Sequence, residues 1–155
     1  MDVRIRAATR ADHEVIWQAT METVWTDLPP ETRRSVDRRA FESHFRPHAK
    51  RVIESPNNAI LVAEVSGAVV GYAIVGPATS MLSPSPFGFV YDLWVAPEAR
   101  RQRVGRALLQ QAEAWCRGRG LRALRLEVSA TNEGARAFYR TQAFAEERLY
   151  LVKAL

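Results

Sequence analysis

The chain has 155 residues, 47% hydrophobic and 25% charged, a composition typical of one globular domain large enough to bury a substantial core. No apolar run approaches the roughly 20 residues of a membrane span, and residues 1–6 lack the apolar core of a signal peptide, so neither is expected. A single cysteine, Cys116, excludes an intrachain disulfide and a multi-cysteine metal site. We therefore expect one domain over residues 1–155, located in the cytoplasm and without a metal.

The net charge of +5 is concentrated in the later part of the chain. Residues 100–155 carry 12 Lys and Arg against 5 Asp and Glu, whereas residues 1–99 carry 10 against 12. A nucleic acid has to be considered as partner for such a surface. However, aromatic residues do not alternate with these arginines, and no nucleic-acid motif accompanies them. The pattern favours a small, phosphate-rich ligand.

The first part of the chain predicts one strand followed by helices. Residues 3–7 alternate between apolar and polar side chains, which indicates a strand. A helix with a capping-box-like start is predicted over residues 9–24. After the break at Pro29-Pro30, apolar residues recur every 3.6 positions through a basic segment over residues 31–55, with a kink or break predicted at Pro47.

The central part of the chain predicts strands. Two apolar runs over residues 59–65 and 68–75, separated by Ser-Gly, indicate a hairpin. Residues 76–86 contain several prolines and are predicted to form a loop. A further strand is predicted over residues 87–95.

The last part of the chain alternates between helices and strands. An amphipathic helix is predicted from Gly105 to Arg117, and a strand over residues 121–129. Asn132 caps a helix that ends near Gln142, and residues 144–152 are predicted to form the final strand. The order βααβββαβαβ indicates an α/β fold with a mixed, mostly antiparallel central sheet and helices on both faces.

The turn between the strand at 87–95 and the following helix is the most informative stretch. Four arginines crowd it, and the next acid along the helix is Glu113. They are Arg100, Arg101, Arg103 and Arg106. A helix amino terminus offers free N–H groups and a partial positive charge. The turn therefore predicts a site for a phosphate or pyrophosphate.

Two sequence blocks stand in order on these predicted elements. In the first, Arg100, Arg103 and Gly105 occupy the positions of a Gln/Arg-x-x-Gly-x-Gly/Ala signature, with arginine in place of its first glycine. The second, residues 132–144, reads Asn-x-x-Ala-x-x-Phe-Tyr-x-x-x-Ala-Phe, with Ala143 in place of a usual glycine. Together the blocks resemble the GNAT family of N-acetyltransferases, over nearly the whole chain. We expect residue 103 to supply only a backbone N–H and a charge there, without a positive φ.

The resemblance implies acetyl-CoA as cosubstrate, held where the fourth and fifth strands splay apart. Backbone groups of that fourth strand would pair with the pantetheine arm, and the N–H groups of the following turn would cradle the pyrophosphate. Residues from the second block would lie near the pantetheine and the sulfur. The expected cofactor-binding residues are Leu93, Val95, Arg100, Arg101, Gln102, Arg103, Val104, Gly105, Arg106, Asn132 and Tyr139.

The resemblance also implies direct acyl transfer to an amine, without a covalent enzyme intermediate. Tyr139 is the candidate for hydrogen-bonding or protonating the leaving sulfur. Two carboxylates compete as general base. Glu127 is one, because its Leu-Glu-Val triplet together with Tyr139 is similar to the ribosomal-protein alanine acetyltransferases; the other is Asp92 in the fourth strand. The plain structural alternative for Glu127 is a solvated pair with Arg125, and Cys116 is expected in the core.

The expected function is therefore an acetyl-CoA-dependent N-acetyltransferase acting on a small-molecule or peptide amine. No membrane or nucleic-acid partner is expected, and a homodimer is left open. In the family, the basic helical region walls the acceptor pocket, so acceptor choice is expected to depend on Glu31, Asp37, Phe41 and residues 79–89. The alternatives are acetylation of a protein N-terminus or an aminoacyl-tRNA, and a non-catalytic acyl-CoA sensor.

Overall fold

The computed structural model of the protein describes residues 2–153 and residue 155. It contains a five-stranded sheet whose strands lie in chain order, and every neighbouring pair is antiparallel except the last, which is parallel. The strands are β1 (Arg4–Ala7), β2 (Ala59–Val65), β3 (Ala68–Ser80), β4 (Ser83–Val95) and β5 (Leu124–Leu126). The predicted mixed α/β sheet is confirmed.

Helices cover both faces of this sheet. They are α1 (His13–Asp27), α2 (Pro30–Ser35), α3 (Arg38–Ile53), α4 (Val104–Arg117) and α5 (Glu133–Thr141). Successive side chains of a strand point to opposite faces, and β2 shows this clearly. Val62 packs with Ile16 of α1, whereas Ala63 packs with Val104 and Leu108 of α4. The apolar stripe of α4 and the alternation of the strands thus produce two core layers.

The loop predicted over residues 76–86 is instead the end of a long hairpin. β3 continues to Ser80, Ala78 pairs with Phe87, and the tip at Met81 and Leu82 is exposed. Prolines are tolerated where a strand has an open edge for the missing N–H. The pairing of β2 with β3 ends at Ala59 opposite Val75, so β3 has such an edge beyond that point.

The basic segment over residues 31–55 breaks earlier than predicted. α2 ends at Ser35, and α3 begins at Arg38 and runs through Pro47 to Ile53. The Asp37 side chain accepts a hydrogen bond from the N–H of Ala40 at 2.9 Å, which caps the second helix. This cap, rather than the proline, fixes the position of the break.

The final strand predicted over residues 144–152 is not a strand in the structure, and β5 is shorter than predicted. Side-chain ion pairs hold this segment instead. Glu146 binds Arg136 and Arg140, and Glu147 binds Arg125. Alternating apolar residues form a strand only when a neighbouring backbone pairs with them. Within the described residues, no strand pairs with residues 144–152. No helix in the described part of the chain has the length and apolar composition that a bilayer span requires.

Candidate active site

A gap opens between β4 and β5 immediately after their short parallel pairing. Gly88, Phe89 and Val90 pair with residues 124–126. The register of β4 against β3 then shifts at a β-bulge between Val90 and Asp92. Bulges bend a strand and increase its twist. The rest of β4 therefore diverges from β5 and presents an open edge.

The backbone groups of Leu93 and Val95 face this open edge. The N–H of Ala96 donates to Val70 on β3 at 2.9 Å, so alternation along the strand directs the groups of Val95 and Leu93 to the opposite side. The Val95 carbonyl there accepts from Nε of Arg100 at 3.0 Å. These are the two residues expected from the sequence to offer backbone groups to a ligand, and that role stays a prediction.

The turn that leads into α4 has an unusual backbone. Arg101 and Arg103 have φ of 60° and 65°, in the left-handed region that favours glycine. The expectation that residue 103 would need no positive φ was wrong. A left-handed residue costs about 1–2 kcal/mol for a side chain with a Cβ, so the turn keeps this shape against its local preference. Turns that contain left-handed residues are of the kind in which successive N–H groups can converge on an anion.

The amino end of α4 is left without internal partners. It has no side-chain cap and no acid in its first turn. Within the described residues, Arg101, Arg103 and Arg106 form no ion pair, while Gln102 donates to the Glu98 carbonyl at 2.7 Å. The Val104 side chain is buried, so only its backbone is available. The end of α4 thus has the donors and the charge that a pyrophosphate requires.

Gly105 lies against α5 rather than against the open turn. A Cβ at this position would stand 3.1 Å from Cζ of Phe138, so the ring would have to move by a few tenths of an ångström. The glycine therefore allows the first turn of α4 to approach the aromatic residues of α5. This contact was not anticipated from the signature, which suggested only an approach to phosphate.

Asp92 is on the part of β4 beyond its pairing with β5, and it belongs to a hydrogen-bonded chain of three side chains. Tyr72 donates its hydroxyl to Asp92 Oδ2 at 2.7 Å, and the Thr20 hydroxyl is 2.9 Å from the Tyr72 oxygen. Loss of solvent raises the pKa of Asp92 above its usual range, although the bonds from Tyr72, Thr20 and the Leu93 backbone lower it. A carboxylate with a raised pKa is a better proton acceptor near neutral pH.

The bulge also changes which side chains accompany Asp92. Tyr91 packs on the same cluster of α1 and sheet residues as Trp94, and that cluster includes Tyr72, the partner of Asp92. Strict period-2 alternation would place Tyr91 on the opposite face. The bulge therefore brings a second aromatic side chain to the face that carries the carboxylate.

Tyr139 of α5 is half-buried near two carboxylates. Loss of solvent, and then the negative charges of Asp92 and Asp27, raise the pKa of Tyr139 to about 12. Its ring also contacts those of Phe138 and Phe144, with centroids 5.4 and 5.6 Å away. The phenol is consequently held protonated, as a hydrogen-bond donor, over the whole physiological pH range.

Glu127 is exposed just beyond β5 and has no hydrogen bond or ion pair within the described residues. The pairing with Arg125 that was the plain alternative does not occur. Arg125 binds Glu147 at 2.9 Å and lies over the ring of Phe87. The structure brings Asp92 and Tyr139 together electrostatically, but gives no such link between Glu127 and Tyr139.

Asn132 uses both ends of its side chain within the protein. Its oxygen accepts from the N–H of Ala135 at 3.1 Å, and its nitrogen donates to Asp27 at 2.9 Å. The predicted cap of α5 is confirmed, but Asp27 was missed. No sequence pattern marks it, because its partner lies 105 residues away.

Other candidates occupy structural positions. Asp37 caps α3, and Phe41 is buried between Trp25 and Phe45. Cys116 lies in the core as expected. The described residues contain no group of three or more His, Cys, Asp or Glu side chains able to hold a metal ion.

Comparisons with known proteins agree with this geometry. The chain is 30% identical over 98 residues to the uncharacterized N-acetyltransferase YhfO of Bacillus subtilis (strain 168). That match covers 63% of this chain and 66% of the relative, so the chain spans slightly less than two thirds of the relative's length.

Solved structures show the same fold. A putative acetyl transferase from Pyrococcus furiosus superposes with a TM-score of 0.82 at 18% identity, covering 99% of this chain and 100% of that one. AAC(6')-Iy in complex with the bisubstrate analog CoA-S-monomethyl-acetylneamine superposes with a TM-score of 0.71 at 18% identity, covering 100% and 99%. The sequence model of the Acetyltransferase (GNAT) family matches residues 13–144. With the splayed strands and the uncapped, arginine-rich start of α4, this match means that the chain belongs to the GNAT family of acetyltransferases.

Proposed function

We propose that the protein transfers the acetyl group of acetyl-CoA to a primary amine by direct attack in a ternary complex. The observation that carries the proposal is the start of α4. It has no cap, no acid and three arginines without ion pairs among the described residues, and it adjoins the open edge of β4. A helix end with these properties is suited to a pyrophosphate. A similar structure that contains a CoA-derived bisubstrate analog supports the same ligand.

The residues at this end of the sheet fit the parts of acetyl-CoA. The N–H groups of residues 101–106 and the arginines among them would hold the pyrophosphate, and backbone groups of Leu93 and Val95 would hold the pantetheine. Tyr139 would lie at the sulfur. Asn132 would contact the pantetheine only through atoms that its two internal hydrogen bonds leave available.

We infer that Asp92 acts as general base. When bound, acetyl-CoA supplies a thioester. The amine nitrogen forms the new bond to the acetyl carbon, its proton passes to Asp92, and the carbon–sulfur bond breaks. At pH 7, deprotonating an α-amine costs about 1 kcal/mol and a lysine-like amine about 4.6 kcal/mol. A base with a raised pKa therefore matters most for a lysine-like acceptor.

Tyr139 is proposed to assist the leaving group, by donating a hydrogen bond from its hydroxyl to the sulfur of coenzyme A. Its pKa of about 12 lies well above the 8.5 of an ordinary thiol. Complete proton transfer from the phenol to the thiolate would thus be uphill by about 5 kcal/mol. Stabilisation of the developing thiolate by a hydrogen bond is the role that this pKa favours, and solvent then supplies the proton.

Glu127 is the alternative base, and it belongs to the finer proposal of a ribosomal-protein alanine acetyltransferase-like enzyme. Its exposure allows it to reach a large acceptor such as a peptide N-terminus, although no described interaction links it to Tyr139. The two carboxylates near Tyr139, Asp92 and Asp27, instead favour a cationic small-molecule amine.

Thiol release from acetyl-CoA over a panel of amines tests the proposal. Asp92→Asn should lower turnover at pH 7 by about 10²–10⁴-fold and recover as rising pH frees the amine. Tyr139→Phe should slow turnover at every pH with acetyl-CoA binding nearly intact. Glu127→Gln should resemble the control Glu133→Gln, an exposed glutamate of α5.

Three results would redirect the proposal. A pH-recoverable loss in Glu127→Gln but not in Asp92→Asn would move the base to Glu127. Thiol release with tRNA-linked or peptide acceptors alone would identify a macromolecular acceptor. Tight acetyl-CoA binding without thiol release from any amine would identify an acyl-CoA sensor.

A further inference from the structure

Asp27 occupies a position where a helix disfavours a carboxylate. It is the last residue of α1, at the negative end of the helix dipole, and the last turn contains no basic residue. Pro29 and Pro30 follow after Leu28, and their fixed φ limits how far the end of α1 can move. A favourable interaction elsewhere is therefore needed to offset this placement.

Hydrogen bonds to the turn before α5 provide that interaction. Asp27 Oδ1 accepts from Nδ2 of Asn132 at 2.9 Å, and Oδ2 accepts from the N–H of Ser129 at 3.4 Å. Asn132 Oδ1 in turn accepts from the N–H of Ala135 in the first turn of α5. The carboxylate thus connects the end of α1, through Asn132, to the helix that carries Tyr139.

We propose that Asp27 is a positioning residue, which ties the end of α1 to the turn before α5 and thereby sets the place of Tyr139 relative to Asp92. The proposal rests on the function assigned to Tyr139 above. α1 also carries Thr20, which belongs to the hydrogen-bonded chain that ends at Asp92. One helix therefore contacts both sides of the gap between β4 and β5. Burial raises the pKa of Tyr139, and the negative charges of Asp92 and Asp27 raise it further.

An exchange of the two partner side chains isolates this role. Asn132→Asp alone sets two carboxylates against each other, although aspartate still caps α5. Asp27→Asn combined with Asn132→Asp restores each bond, because the new amide donates to residue 132 and accepts from Ser129. Asp27→Ala removes the connection altogether. Glu133→Gln, beside Asn132 and exposed, is the matched control.

The measurements are kcat and KM at saturating acetyl-CoA, together with the NMR resonance of the Tyr139 ring, assigned with Tyr139→Phe. Asn132→Asp and Asp27→Ala should lower kcat by about 10–100-fold with a smaller change in KM, and should shift the resonance. At saturating acetyl-CoA, the exchanged pair should recover most of the kcat that Asn132→Asp loses, and should restore the resonance. A structural role alone would change the melting temperature and leave kcat and the resonance unchanged.

The outcomes separate this proposal from the proposed function. If the unmodified protein releases no thiol with any amine, the function is wrong, and the resonance alone decides whether Asp27 positions Tyr139. If Asp27→Ala leaves both kcat and the resonance unchanged, or if the exchanged pair is as impaired as Asn132→Asp, Asp27 is not a positioning residue.

Discussion

The two helices that meet at Gly105 and Phe138 begin in opposite ways. The residue that precedes α5 is Asn132, whose side chain accepts from the N–H of Ala135, and a glutamate lies in the first turn. The residue that precedes α4 is Arg103, with φ of 65°, and this helix start has neither a side-chain cap nor an acid. The start of α5 satisfies its own donors and serves the fold, whereas the start of α4 leaves its donors for a ligand.

The second helical residue is glycine in both, which allows a matched test. Gly105→Glu should abolish the rise in melting temperature caused by acetyl-CoA, because it adds a negative charge to the first turn of α4, beside the proposed pyrophosphate site, and also displaces Phe138. At 100 times the dissociation constant a ligand adds about 2.7 kcal/mol, or roughly 5–10 °C. Gly134→Glu on α5 should keep the full rise, since nothing lies within 4 Å of a Cβ there.

Gly105→Ala separates charge from the steric effect on Phe138. It adds the same Cβ without the carboxylate, so most of the acetyl-CoA-dependent rise should remain. An equal loss in the alanine and glutamate variants would mean that packing on α5, and not phosphate binding, determines the effect.

The arginines of the two helices should differ as well. Arg106→Gln should weaken acetyl-CoA binding by about tenfold, equivalent to about 1.4 kcal/mol, and reduce its dependence on salt. Arg140→Gln on α5 should leave the affinity unchanged, because Arg140 is engaged with Glu146 at 2.9 Å. Calorimetric titration at two salt concentrations measures both, and equal losses would contradict the assignment.

For stability the order should be reversed: the residue that precedes α5 should matter more than the residue that precedes α4. Asn132→Ala should lower the free energy of unfolding by about 1 kcal/mol, because α5 loses its cap. Arg103→Gln should change it by less than about 0.5 kcal/mol, since the Arg103 side chain caps nothing. Denaturant unfolding measures both changes, provided that the slope of the transition stays the same in the two variants. A larger loss of stability in Arg103→Gln than in Asn132→Ala would contradict the proposed difference between the two helix starts.

The smallest effect concerns the two places where this chain lacks a family glycine. Arg103 and Ala143 both have positive φ, of 65° and 63°. Glycine at either position should relieve about 1–2 kcal/mol of backbone strain. About half of that is offset because glycine gives the unfolded chain more conformational freedom, so the free energy of unfolding should rise by about 0.5–1 kcal/mol. Ala137→Gly inside α5 should instead lose about 1 kcal/mol. Only Arg103→Gly should also weaken acetyl-CoA binding.

Elements defined by local pattern could be predicted from the sequence. α4 was predicted because Val104, Leu108 and Ala112 recur on one face, and α5 because Asn132 is a good cap. The hairpin arm at 76–86 was missed because its prolines suggest a loop. The outer edges of β3 and β4 are open along this arm, since β3 pairs with β2 only up to Val75 and β4 pairs with β5 only from Gly88, and these edges make the prolines acceptable.

The candidate site depends on contacts that no local pattern specifies. The chain from Thr20 through Tyr72 to Asp92 joins three elements, and the bond from Asn132 to Asp27 crosses 105 residues. The motif indicated Arg103 but not its φ, because the residue type there argues against the conformation that the turn imposes.

The alkylation rate of Cys116 can report how often α4 separates from the sheet. Its thiol is the only one in the chain and lies against Gly88, where any Cβ would collide with the sulfur. Burial raises its pKa, so alkylation has to wait until α4 lifts from the sheet. The alkylation rate of the native protein therefore measures how often α4 opens. Acetyl-CoA bound twelve residues earlier, at the other end of the same helix, should make these openings rarer and lower the alkylation rate.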